Sequence, residues 1–139
     1  GAAPNGAGYS AAFDTALYGF AFYKAGTSLM QIDELGNVTA TANITAYSDA
    51  RLKTNVKTIQ NALDTTLKLR GVTFEKGGDA GIGVIAQEVR EVLPEVVLEA
   101  NDEVKTLSVA YGNIVGVLIE AIKELNAKVE DLQNQLANK

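Results

Sequence analysis

Residues 111–136 read YGNIVGVLIEAIKELNAKVEDLQNQL, and the spacing of apolar residues in this stretch decides the architecture. Tyr111, Val115, Leu118, Ile122, Leu125, Val129, Leu132 and Leu136 follow one another at intervals of 4-3-4-3-4-3-4. An a/d register kept over about four heptads predicts a coiled-coil helix. Ile114, Val117 and Ile119 widen the stripe near its start, so the upper half is expected to pack on a globular module as well. Beyond Leu125 the flanking positions turn to Asn, Lys, Glu, Asp and Gln, leaving a narrow seam. The alternative is a single amphipathic helix lying on its own domain. No other segment is left to cover the lower seam, so self-association is the reading. Val and Ile at a with Leu at d lean toward dimers in parallel model coils, so the heptads alone do not fix the number of copies.

Working back from this helix, residues 49–106 mix short helical and strand signals. Ile59, Leu63 and Leu67 share a helical face, with Thr58 as N-cap and Gly71 as stop. Val72-Thr73-Phe74 predicts a strand and Lys76-Gly77-Gly78-Asp79 a turn. Gly81 to Ala86 predicts an apolar strand running into a short helix, Gln87 to Leu93, which Pro94 ends. Val96-Val97-Leu98 and Val104-Lys105-Thr106-Leu107 flank Ala100-Asn101-Asp102-Glu103 and predict a hairpin.

Further back the chemistry is that of strands. Leu29 to Asp33 reads as a strand, Asp33 to Asn37 as a turn, and Val38 to Ala46 alternates small apolar residues with Thr or Asn. The buried face of that last strand is Val, Ala, Ala, Ile and Ala. At about 25 cal/mol per Å² it is too small to hold a lone hairpin together. Small inward residues suit three or more chains crowding one axis, so the segment reads as an interchain β stalk. Residues 1–28 are rich in Gly, Ala and Ser. The first dozen read as poorly ordered, or as the cut end of a longer protein. The patch Leu17 to Tyr23, broken by Gly19, alternates like a strand around Phe20 and Phe22.

Composition narrows the chemistry. The 139 residues are 47% hydrophobic and 21% charged, with a formal net charge of -5. This length suits one ordinary domain or two to three small modules. Cys and His are both absent. That excludes disulfides, thiolate or imidazole metal sites, and Cys-His or Ser-His-Asp catalysis. The absence of cysteine fits a reducing compartment. The acidic balance argues against nucleic acid as a partner. No apolar run approaches the ~20 residues of a membrane helix, so a soluble chain is expected, and no secretory signal follows Gly1. With only 6% aromatic residues and no Trp, much apolar surface is expected to be buried between chains.

What remains for catalysis is carboxylate pairs, acidic metal sites, or Ser or Thr with Lys. Glu88, Glu91, Glu95, Glu99, Asp102 and Glu103 are spaced like a solvated face, so no metal and no cofactor is expected. Gly77-Gly78 and Gly81-Ile82-Gly83 match neither a Walker loop nor a dinucleotide fingerprint and read as turns and close backbone contacts. Ser48-Asp49-Ala50-Arg51-Leu52-Lys53 stands apart, at the junction of stalk and globular module. A serine needs a base, and a lysine amine serves when its pKa falls well below the free value of ~10.4. Desolvation and the guanidinium of Arg51 would favour that, and Asp49 would oppose it if close. From spacing alone a polar linker is the simpler reading.

Ser48-Asp49-Ala50-Arg51-Leu52-Lys53-Thr54-Asn55-Val56 resembles the opening signature of the self-cleaving intramolecular chaperone domain of phage endosialidases and tail fibres (peptidase family S74). The auto-processing domain of myelin regulatory factor shares it. Gly83 to Val89, then Leu93-Pro94-Glu95-Val96-Val97, and then Tyr111 to Val115 running into Leu118 to Leu125 agree in order. Together these pieces cover Ser48 to about Lys139, and Leu29 to Tyr47 resembles the stalk end that precedes this domain. Position 50 is more often a larger apolar residue than Ala in the family, a departure that touches packing rather than the dyad.

The resemblance implies an α+β homotrimer in three parts. These are a β-rich stalk end (residues 1–47), an α+β chaperone and autoprotease module (48–106) and a trimerising helix (107–139). It implies a chaperone that directs folding of a fibre and then cuts itself off, with Ser48 as nucleophile and Lys53 as general base. Asp49 and Asn55 are supporting residues without an assigned role. The scissile bond should adjoin Ser48, with Tyr47–Ser48 preferred over Ser48–Asp49. The implied partners are two further copies of the chain and its own upstream stalk, with a host surface receptor for the parent fibre. The implied location is the virion tail fibre, the chaperone acting in the host cytoplasm during assembly. Rival readings are a non-cleaving structural cap and a receptor-binding tip using Phe20, Phe22 and Tyr23. A glycan hydrolase finds no support, because no carboxylate pair stands out.

Overall fold

A computed structural model describes residues 9–14 and 19–138, which divide into two compact units, Gly1–Thr54 and Asn55–Lys139. Residues 1–8 and 15–18, with Leu17 among them, lie outside the described residues, and from Tyr9 on the expectation of a poorly ordered first dozen does not hold. There the chain already forms a strand.

The first unit is an antiparallel meander of β1 (Tyr9–Asp14), β2 (Gly19–Lys24), β3 (Thr27–Ile32) and β4 (Val38–Ala40), in that spatial order. Ala25 and Gly26, at φ 47° and 81°, make the two-residue turn between β2 and β3, whose twist matches the flanking strands. The expected turn after β3 forms around Asp33, whose carboxylate accepts from the N–H groups of Leu35 (2.9 Å) and Asn37 (2.8 Å). Gly19, expected to break the apolar patch, instead starts β2. A Cβ there would lie 2.0 Å from the Ile32 carbonyl oxygen, so only glycine fits. Phe20 pairs with Ile32 and Phe22 with Met30, and these pair with Val38 and Ala40 in turn. Direct cross-strand partners share a face. That face is therefore wholly apolar, with Phe20 and Phe22 in edge contact at 5.1 Å and both exposed.

The stalk strand expected over Val38 to Ala46 is shorter in the structure. Pairing stops at Ala40, and after Thr41, which donates backbone and side-chain hydrogen bonds to the Leu29 carbonyl, the chain to Asp49 joins no ladder. The ladder ends although β3 continues back to Thr27, so the period-two pattern alone does not extend the pairing.

The second unit contains α1 (Ala62–Lys68), a hairpin of β5 (Val72–Lys76) and β6 (Asp79–Gly83), α2 (Ala86–Val92), a hairpin of β7 (Val97–Glu99) and β8 (Leu107–Val109), and the 24-residue α3 (Ile114–Ala137). Gly77 and Gly78 form the β5–β6 turn at φ 64° and 95°, as a two-residue turn of this twist requires. The predicted second hairpin is present with β8 shifted to Leu107–Val109. The residues between are drawn into a longer loop in which Asp102 accepts from Thr106 N–H at 2.8 Å. The chain is mixed α+β with small sheets and a long carboxy-terminal helix, as expected.

The helix expected from Thr58 begins at Ala62 instead. Its N-cap position is Asn61, in the left-handed region at φ 56° and with no side-chain cap of its own. The cap comes from α3, where the two oxygens of Glu124 accept from Ala62 N–H and Leu63 N–H at 2.9 Å each. The face expected to be buried also differs. Ala62 is buried against Val117 and Ala121, flanked by Leu63 and Leu93, whereas Leu67 is exposed.

The core is small. Among the described residues the buried hydrophobics are Ala21, Ala62, Val89, Val96, Val117 and Ala121.

Candidate functional site: the turn from Ser48 to Lys53

The segment 48–53 makes one tight turn. Asp49 has extended backbone (φ −65°, ψ 132°), Ala50–Leu52 form a single 3-10 turn, and Lys53 returns to extended geometry. Backbone bonds run from Leu52 N–H to the Asp49 carbonyl and from Lys53 N–H to the Ala50 carbonyl, both at 3.1 Å. The turn brings the two expected catalytic side chains together: Lys53 Nζ donates to Ser48 Oγ at 2.8 Å. Both are exposed in the single chain.

The neighbouring charges engage each other. Asp49 Oδ1 accepts from the Arg51 N–H at 2.8 Å and from its Nε at 3.0 Å, while Oδ2 accepts from Nη2 at 2.6 Å. The Arg51 side chain and backbone N–H hold the Asp49 carboxyl below its ordinary value, and the carboxylate raises Arg51 in return. Asn55, the fourth residue of the signature, stands just after the turn at φ 54°. Tyr47, which precedes the nucleophile candidate, is 98% exposed.

The seam residues are also accounted for. Tyr111 sits in a 3-10 turn ahead of α3, where its hydroxyl accepts from Val84 N–H at 3.3 Å. A Cβ on Gly83 would come within 2.6 Å of that hydroxyl, which explains one of the glycines read as a close contact. Val115, Leu118, Ile122, Leu125, Val129, Leu132 and Leu136 lie along α3, and every one is at least 41% exposed. The residues that α3 turns to α1 are different: Val117, Ala121 and Glu124. At 3.6 residues per turn the two stripes lie about 100° apart. Packing against α1 therefore leaves the heptad stripe bare.

Sequence reading missed the side chains that organise these features. Glu124 caps a helix 62 residues away in sequence, and Arg70 holds Glu88 through Nε at 3.1 Å. No local pattern marks either. Among the described residues no cluster of three or more acidic side chains could hold a metal ion, and no helix is long and apolar enough to cross a membrane.

Comparison with known proteins gives the same boundary as the turn. Residues 48–98 match the family described as the chaperone of endosialidase. The chain is 42% identical over 103 residues to a long tail fiber protein Gp37 of Enterobacteria phage K3, covering 68% of this chain and 8% of that protein. It is equally similar to the Gp37 of Enterobacteria phage T2, and 30% identical over 105 residues to that of Salmonella phage S16, of which it covers 14%. The chain thus spans a small part of the length of the relatives it matches.

Proposed function

From the match of residues 48–98 to the chaperone of endosialidase, we propose that this chain joins a phage tail-fibre or tailspike stalk to an intramolecular chaperone. The chaperone gathers three copies, directs folding of the stalk, and releases itself by serine autoproteolysis next to Ser48. The contact of Lys53 Nζ with Ser48 Oγ carries the autoproteolysis. The bare heptad stripe on α3 and the apolar sheet face of Phe20, Phe22, Met30, Ile32 and Val38 support assembly with further copies.

The reaction balances in atoms and charge. Ser48 Oγ adds to the Tyr47 carbonyl carbon while Lys53 Nζ takes the hydroxyl proton. The Tyr47–Ser48 C–N bond breaks, the proton passes to the released α-amine of Ser48, and Tyr47 rests as an ester on Ser48 Oγ. Water cleaves that ester, giving Tyr47 a carboxylate and restoring the Ser48 hydroxyl. In the single chain the amine donates to the hydroxyl, and to act as a base it must accept instead. Burial disfavours the charged form of an amine. Closure of three copies over this exposed turn is the step that converts donor to base, so assembly licenses the cut.

The purpose is kinetic. A stalk held by contacts between chains nucleates slowly and exposes unpaired edges. A helix that associates first raises the effective concentration of the stalk segments to roughly millimolar. Removing the chaperone afterwards leaves the fibre protected by its unfolding barrier.

A denaturing gel with intact mass tests the proposal. The chain is expected to yield a fragment beginning at Ser48, and Ser48→Ala and Lys53→Ala to slow its appearance by about 10³-fold or more. Unchanged cutting in Ser48→Ala would overturn the mechanism, and an uncut trimer of the unaltered chain would favour a structural cap.

A further inference from the structure

We infer that Asp49 is the positioning residue of the Ser48–Lys53 pair, acting as the cap of the turn that folds Lys53 back onto Ser48. The inference rests on the proposed autoproteolysis and gives one member of its signature a physical task.

Five residues of extended chain would set the two Cα atoms about 16 Å apart, farther than a lysine and a serine side chain can span. A 3-10 turn advances only about 2 Å per residue, and Ala50–Leu52 supply one. That turn has no buried residue to hold it. Its backbone bonds are few and exposed, and a single isolated turn is costly to nucleate. The one side chain that closes it is Asp49, which accepts from the Arg51 N–H at 2.8 Å.

The same carboxylate also holds the Arg51 guanidinium, so cap and ion pair must be separated. Arg51's side chain is 88% exposed and that of Asp49 38%. Ion pairs so placed contribute little, whereas an Asp, Asn or Ser cap is worth a definite fraction of a turn's stability and Ala provides none. The task therefore belongs to the short acceptor oxygen rather than to the charge.

The test is a set of processing rates on the full chain, measured by gel from first synthesis, with sedimentation to compare assembly. Asp49→Asn and Asp49→Ser keep a short acceptor and are expected to cut within about 2-fold of the unaltered rate, as is Arg51→Gln. Asp49→Ala, and Asp49→Glu with its charge kept but its reach wrong for a cap, are expected to cut about 5- to 10-fold more slowly. The pH at which the rate is half-maximal should be the same in Asp49→Ala as in the unaltered chain, because position changes and the base does not. Asp49→Glu at full rate, Asp49→Asn as slow as Asp49→Ala, or a displaced pH midpoint would each overturn the inference. If Asp49→Ala does not fold, the comparison of Asp49→Glu with Asp49→Asn decides it. Continued cutting in Ser48→Ala sinks the autoproteolysis itself; an uncut Ser48→Ala beside a full-rate Asp49→Ala sinks only the role of Asp49.

Discussion

Asn55, the last of the four signature residues, has a backbone constraint of its own. At φ 54° its backbone lies in the left-handed region, which costs most L-residues roughly 1–2 kcal/mol and costs asparagine and glycine less. Asn55 supplies that conformation between the turn 48–53 and Val56. Asn55→Gly is expected to leave stability and processing close to unaltered. Asn55→Val should lose about 1–2 kcal/mol in urea unfolding, because a β-branched side chain fits this region worst. Equal stability of the two variants would mean the backbone is not under this constraint. The serine and lysine were legible in sequence only through resemblance. Their contact depends on the 3-10 turn between them, and no hydrophobic period announces a turn with no buried residue. The pairing of Asp49 with Arg51 could not be read, because spacing does not say which of three nearby charges will pair.

At the scale of elements, the α1–α3 pair holds most of what the second unit buries. Ala62 at 0% exposure faces Val117 at 3% and Ala121 at 4%. Val117→Ala removes two buried carbons and should cost about 2 kcal/mol. Ala62→Leu should cost about 1–3 kcal/mol by overpacking, and urea midpoints check both. Glu124 adds a charge-dependent clamp. The N–H groups of Leu63 and then Ala62 hold its carboxyl below the ordinary value of 4.5, helped by Lys128 and opposed by Asp64. A carboxyl lowered by folding contributes in full above its unfolded value and loses that contribution as the pH falls through the folded one. The melting temperature of the unaltered chain should therefore drop more steeply below pH 4.5 than that of Glu124→Gln. Parallel curves would remove Glu124 from the balance. Sequence patterning located this helix pair but misjudged its details for one reason. Thr58 is the better local cap and Leu67 the better apolar residue, yet a carboxylate from α3 sets the start of α1 at Ala62, and close approach of the helices selects Ala over Leu. Tertiary partners overrode local preference. The β5–β6 turn and α2 were legible because Gly77-Gly78 and Pro94 act locally.

For the whole molecule, the heptad stripe was the most legible feature of the sequence, and the structure leaves it uncovered. Leu125 and Leu132 are 50% and 59% exposed and lie off the face that meets α1. Changing both to Gln should therefore spare the single chain, since Gln is nearly as good a helix former as Leu. Helical circular dichroism is expected to persist while sedimentation reports single copies. If assembly is what desolvates Lys53, such copies stay uncut. The unaltered chain should show the complementary behaviour: at low concentration, processing should accelerate with the amount of chain, as for any event that waits on association, and at high concentration its rate should become independent of it. The stalk strand makes the same point from the other end. Val38 to Ala46 carries the pattern of a full strand and forms only three residues of one; under the proposal, other copies complete it. Full-rate cleavage by a solitary double variant would separate the Ser48–Lys53 reaction from assembly. The turn would then be competent as it stands in one chain, and the exposed seam would need another explanation.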